Sequence, residues 1–158
     1  MDSLIDIALQ SLPLFFILAV IVAVYKIVER RTLSKYKRSG VARVDAMNDD
    51  DFAAFLADLL SKIGYTVDRV APSGRGTAAL ILKDRGETVP AFGVRTNERI
   101  GLREVQEVIA AKHRFNAQRG LVITNGAVNY PAQAVARKES IELWDRKKLA
   151  EAMLETLH

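Results

Sequence analysis

Six residues late in the chain, Gly120-Leu-Val-Ile-Thr-Asn125, constrain the fold most strongly. The run is apolar without alternating, so it reads as a strand buried on both faces, and such a strand needs a sheet with helices on each side. The segments around it supply those helices. Leu102 to Phe115 carries Leu102, Val105, Val108 and Ile109 on successive turns. Pro131 opens a short helix through Lys138, Ile141 to Trp144 is a brief strand, and Arg146 to Leu157 forms a closing helix.

Upstream, Phe52, Phe55, Leu56, Leu59, Leu60 and Ile63 recur at three- and four-residue spacing. Asn48 is placed to cap this helix, and Asp49 to Asp51 suit its first turn, where negative charge is favoured. Gly64 ends it. Tyr65 to Val70 alternates as a strand, Thr77 to Lys83 is a second, Asp84-Arg-Gly-Glu87 turns, and Val89 to Arg95 is a third. The predicted order is therefore α-β-β-β-α-β-α-β-α, an α/β fold in which a hairpin feeds a helical crossover and the mixed β-sheet is flanked by helices.

The N-terminal part has a different character. Between Asp6 and Lys26 lie 19 residues without a charge, Ile7 to Tyr25, which as a helix span about 28 Å, close to the ~30 Å hydrocarbon core of a bilayer. A cleaved signal peptide fits poorly, because the basic start and the small-residue cleavage site are missing. From Lys26 to Arg43, seven bases face one acid, whereas residues 44–158 hold 16 bases and 16 acids. The basic flank predicts a single-pass transmembrane helix with its N-terminus outside and residues 26–158 cytoplasmic. The expected division is an anchor at 1–28, a basic juxtamembrane linker at 29–46 and a folded domain at 47–158. The collar has three candidate roles, topology signal, contact for lipid headgroups and contact for nucleic acid, of which the last is the weakest.

Composition removes several chemistries. With no cysteine there are no disulfides, thiolate nucleophiles or zinc-thiolate sites, and two histidines, His113 and His158, are too few for a His-rich metal site. Trp144, at a strand end, reads as core packing.

Two stretches carry a family resemblance. "DFAAFLADLLSKIGYTV" is similar to the opening helix and Gly-Tyr strand of the Mrr-type domain, in the restriction-endonuclease-like superfamily. "GLREVQEVIAAKHRFNAQRGLVITNGAVNYPAQAVARKESIELWDRKKLAEAM" resembles that family's second half. The resemblance covers about Asn48 to Leu154. It implies a nuclease in which an aspartate of a Gly-rich stretch and a Gln-x-Lys or Glu-x-Lys pair hold a divalent metal and position the nucleophile.

Laid on that pattern, the sequence departs at each functional position. Ala79 falls where the metal-binding aspartate is expected, Arg75 replaces an earlier acid, Gly93 takes the Gln or Glu position and Arg95 the lysine, while Ala53 follows Phe52 where glutamate is common. Alanine and glycine cannot ligate magnesium, and arginine is never deprotonated enough to stand in for lysine in proton transfer. The expectation is a site without catalytic residues and without a metal or other cofactor. Arg75, Arg95, Arg99 and Arg103 remain as candidate DNA-phosphate contacts. An active Mg²⁺-dependent endonuclease would need a migrated acid, for which Asp84, Glu87, Glu98, Glu104 and Glu107 are the candidates. A third class is a docking subunit of a membrane complex, binding a protein partner or a second copy of itself.

Overall fold

The structure is a computed structural model that describes residues 40–74 and 76–156, together with Val20. The expected transmembrane run, most of the linker, and Arg75, Leu157 and His158 lie outside the described residues. No helix among the described residues is long and apolar enough to cross a membrane. The described residues from 40 onward belong to one compact unit.

Helix α1 (Asp49–Lys62) begins as the sequence predicts, with the Asn48 side chain accepting from the Asp51 amide at 2.8 Å. Strands β1 (Thr66–Gly74), β2 (Thr77–Asp84) and β3 (Glu87–Val94) follow as an antiparallel meander. Arg85 and Gly86, both at positive φ, make the two-residue turn that pairs Asp84 with Glu87 and sets the register of the whole hairpin. After a two-residue strand β4 (Arg99–Ile100), α2 (Leu102–Arg114) crosses to β5 (Gly120–Thr124). Then come β6 (Ala127–Val128), α3 (Tyr130–Lys138), β7 (Ile141–Trp144) and α4 (Arg146–Glu155). The five-stranded sheet has the order β1-β2-β3-β5-β7, antiparallel through β3 and parallel beyond it, and β4 and β6 form a separate parallel pair.

Strand β5 behaves as its unalternating sequence requires. Leu121 and Ile123 enter one core with Phe52, Leu56, Leu60, Leu80, Leu82 and Leu149, whereas Val122 enters the other with Val105, Val108, Ala132 and Ala136. The sheet is thus covered by α1 and α4 on one side and by α2 and α3 on the other.

Three boundaries differ from the sequence reading. The compact unit starts before residue 47: residues 40–45 are helical, with Val41 and Val44 buried against the domain. Strand β1 runs to Gly74 rather than Val70, with two register irregularities against β2. The β4–β6 pair was not anticipated, because two residues are too few to show a period.

Truncating Leu56, which is fully buried between α1 and the sheet, is expected to cost about 2–5 kcal/mol, against less than ~0.5 kcal/mol for Tyr130→Ala at an exposed position. Urea unfolding of the full chain, followed by the fluorescence of its single tryptophan, measures both.

Candidate functional site

Strand alternation decides which residues meet near the expected catalytic positions. In the β2–β3 pair Ala78 lies opposite Gly93, and Ala79 lies opposite Phe92. Ala78 belongs to the core under α1, whereas Ala79 and Phe92 line a groove beside α2 on the other side of the sheet. Ala79 therefore does not share a face with Gly93, and the β2 neighbour on the face of Gly93 is Ala78. A one-residue offset moves a strand side chain to the opposite face, so Ala79 and Gly93 stand on opposite faces of the sheet.

Gly93 is closed from above. A Cβ built on it would lie well inside the contact distance of Leu56 Cδ1 and 3.3 Å from the Phe52 ring, so α1 rests directly on the β3 backbone at the position where the resemblance implies a metal-binding Gln or Glu. Two residues on, Arg95 reaches the first turn of α1, where its Nη2 donates to Asp49 Oδ1 at 2.9 Å. The same carboxylate oxygen accepts the Gly76 amide at 2.8 Å, and the Arg95 amide donates to the Gly76 carbonyl at 2.6 Å. Gly76 sits at φ +75°, and a Cβ there would collide with the Arg95 carbonyl, so this turn requires glycine. Arg95 Nε is buried and makes no hydrogen bond. A methyl, a bare backbone and a paired guanidinium do not fit a divalent cation.

The acids named as candidates for a migrated ligand have other partners or places. Asp84 pairs with Arg119, and Glu87 lies 3.8 Å from the same guanidinium at the far end of the hairpin. Glu104 accepts the Gly101 amide at 2.9 Å, capping α2, and Glu107 lines the groove beside that helix. Glu98 lines a separate cavity described below. Among the described residues, no three His, Asp or Glu side chains cluster as a metal site.

The arginine set is also dispersed in role. Arg95 is half-buried and braced by Asp49. Arg103 is largely exposed, with its Nε 3.8 Å from Glu104, Arg99 is exposed on β4, and Arg75 lies outside the described residues.

A feature that the sequence did not single out lies at the carboxyl ends of β3, β5 and β7: a cavity of about 760 Å³ between the loops after these strands. Asn125, 1% exposed, ties the loops together, accepting the Thr96 amide on Oδ1 at 2.7 Å and donating from Nδ2 to Asp45 Oδ1 at 2.6 Å. Arg146 grips Asp45 with both terminal nitrogens, at 3.0 and 2.9 Å, and donates to the Asn125 carbonyl at 2.9 Å. The hydrogen bonds from Arg146 hold the Asp45 carboxyl below its ordinary range, against the opposing effect of burial, and Asn125 and Arg95 add to the lowering. The signals in the sequence were the Thr-Asn end of β5 and Asp145, which caps α4 by accepting the Lys148 amide at 2.9 Å.

The Mrr catalytic-domain family, described as a restriction endonuclease, matches residues 44–153. No curated protein matches the chain. Among solved structures, the DNA modification-dependent restriction endonuclease AspBHI is similar with a TM-score of 0.55 and 13% identity, over 78% of this chain and 36% of that one. The apo form of EndoMS has a TM-score of 0.46 and 18% identity, over 59% of this chain and 45% of that one. The chain thus spans about a third of the length of the first and under half of the second, and the likeness to AspBHI is one of fold.

The Asp45 network gives a pH dependence of known sign. A carboxyl whose folded pKa is depressed contributes stability that is complete above its unfolded value, ~3.9, and that disappears as pH falls through the folded value. Asp45→Asn is therefore expected to lower stability at neutral pH and to lose less on acidification below about pH 4 than the parent chain. Urea midpoints measured across that range test it.

Proposed function

Because the chain belongs to the Mrr-type restriction endonuclease family, we propose that it is a DNA-binding domain without hydrolytic activity, held at the cytoplasmic face of a membrane by residues 7–25 and the basic collar. The closure of position 93 by Leu56 and Phe52 carries this reading, because a ligand side chain there would have to displace core packing. Arg95 reinforces it. Its charge is matched by Asp49, so it braces the β1–β2 turn against α1 instead of facing a scissile phosphate. Phosphate contact then falls to Arg99 and Arg103 among the described residues.

A second reading, docking of a protein partner, draws on charge. Residues 44–158 hold equal numbers of acids and bases, and Arg95, Arg119 and Arg146 are each paired with a carboxylate. A DNA-binding surface usually carries a net basic face.

The full chain in detergent, incubated with supercoiled plasmid and Mg²⁺ or Mn²⁺, is expected to leave the plasmid intact while binding an oligonucleotide at low salt. Arg99→Ala combined with Arg103→Ala is expected to reduce the salt slope of that binding by about 2. Metal-dependent nicking that Glu98→Ala abolishes would restore the enzyme, and no binding at low salt would favour the protein partner.

Anchoring has its own test. In inverted membrane vesicles the domain is expected to be open to added protease, and protection there would reverse the topology.

A further inference from the structure

The cavity beyond β3, β5 and β7 presents groups that the packing of the domain leaves over. Asn125 and Arg146 are committed to Asp45 and to the loop backbones, so they shape the wall rather than await a ligand. Two cations, Arg99 and Lys147, and two carboxylates, Glu98 and Asp145, also line the space, with the exposed Ala127 beside them and the buried Val41 and Ala150 closing its floor. Neither Arg99 nor Lys147 forms an ion pair among the described residues. Crevices outside the carboxyl ends of parallel strands are a common place for ligands in α/β sheets, and about 760 Å³ lies within the usual range for a small-molecule site.

The mixed lining narrows the ligand class. An apolar molecule would desolvate four charges without compensation, and a bare phosphate would leave two carboxylates facing an anion. A nucleotide meets both demands: its phosphate suits Arg99 and Lys147, amino groups on its base edge suit Glu98 and the Asp145 oxygen not used in capping α4, and a ring face suits the exposed Ala127. We propose that this cavity accepts a single nucleotide of a DNA strand, an inference that rests on the DNA-binding reading above and gives it a place on the domain just beyond the carboxyl end of β3.

Deoxyadenylate is the direct probe, titrated into the detergent-solubilised full chain and followed by calorimetry, with a fluorescent single-stranded oligonucleotide as the second ligand. The expected result is saturable deoxyadenylate binding that competes with the oligonucleotide. It should weaken about tenfold or more in Arg99→Ala/Lys147→Ala, which removes charge-assisted hydrogen bonds from exposed positions. Ala127→Trp, which fills the cavity from an exposed β6 position, should abolish it. Binding of deoxyadenylate that depends on the cavity but leaves the oligonucleotide undisplaced would support the site with a free nucleotide as its occupant, and would count against the DNA reading alone. Oligonucleotide binding unchanged by Ala127→Trp, together with no saturable deoxyadenylate binding, would overturn the cavity proposal and leave the DNA reading standing.

Discussion

The contact between helix α1 and the bare backbone of Gly93 governs the rest of the domain. A strand position without a side chain lets Leu56 and Phe52 settle onto β3, and the core on that face is built around this close approach. It is at this position that the sequence resemblance implies a metal-binding Gln or Glu. Core packing and metal ligation compete for one volume, and here packing occupies it. A side chain at position 93 would need the space that Leu56 and Phe52 of the neighbouring helix occupy.

Electrostatics around that centre follow the same direction. Arg95 extends the β3 strand toward the first turn of α1, where Asp49 accepts both its guanidinium and the Gly76 amide. The turn between β1 and β2 is thereby tied to the helix by a partly exposed charge-assisted pair, an arrangement that orients loops more than it adds stability. The second charged network, Asp45 with Arg146 and Asn125, fastens the helical segment at residues 40–45 to the loops after β3 and β5. The two networks leave the end of the sheet ordered and largely neutral, with Arg99 and Lys147 as cations outside any ion pair among the described residues.

Much of the fold was legible because local patterns agreed with the global arrangement. The apolar Leu121-Val122-Ile123 run required burial on both faces, and the two cores divide it in that way. Asn48 and the Asp84 to Glu87 turn fixed a helix start and a hairpin register through short-range chemistry alone. The site was less legible for a physical reason. In Thr77-Ala-Ala-Leu-Ile-Leu82 the residues are apolar or small at every position, so alternation does not mark which alanine faces α1, and only the register with β3 puts Ala78 on that face and Ala79 on the other. Pairs distant in the chain left no trace at all: Arg95 meets Asp49 across 46 positions and Arg146 meets Asp45 across 101. Val41 and Val44 were hidden at the end of a basic collar, where two apolar residues are too few to signal a buried turn.

The closed centre can be examined without reference to activity. Paramagnetic Mn²⁺ broadens the amide resonances of residues close to a bound ion, so titrating it into isotopically labelled full chain reports directly on whether β2 and β3 hold a cation. With Leu56 seated on Gly93 and Arg95 paired to Asp49, the amides of Ala78, Gly93 and Arg95 should broaden no more than exposed amides elsewhere. Saturable broadening centred on those three residues would contradict a centre closed by its own core.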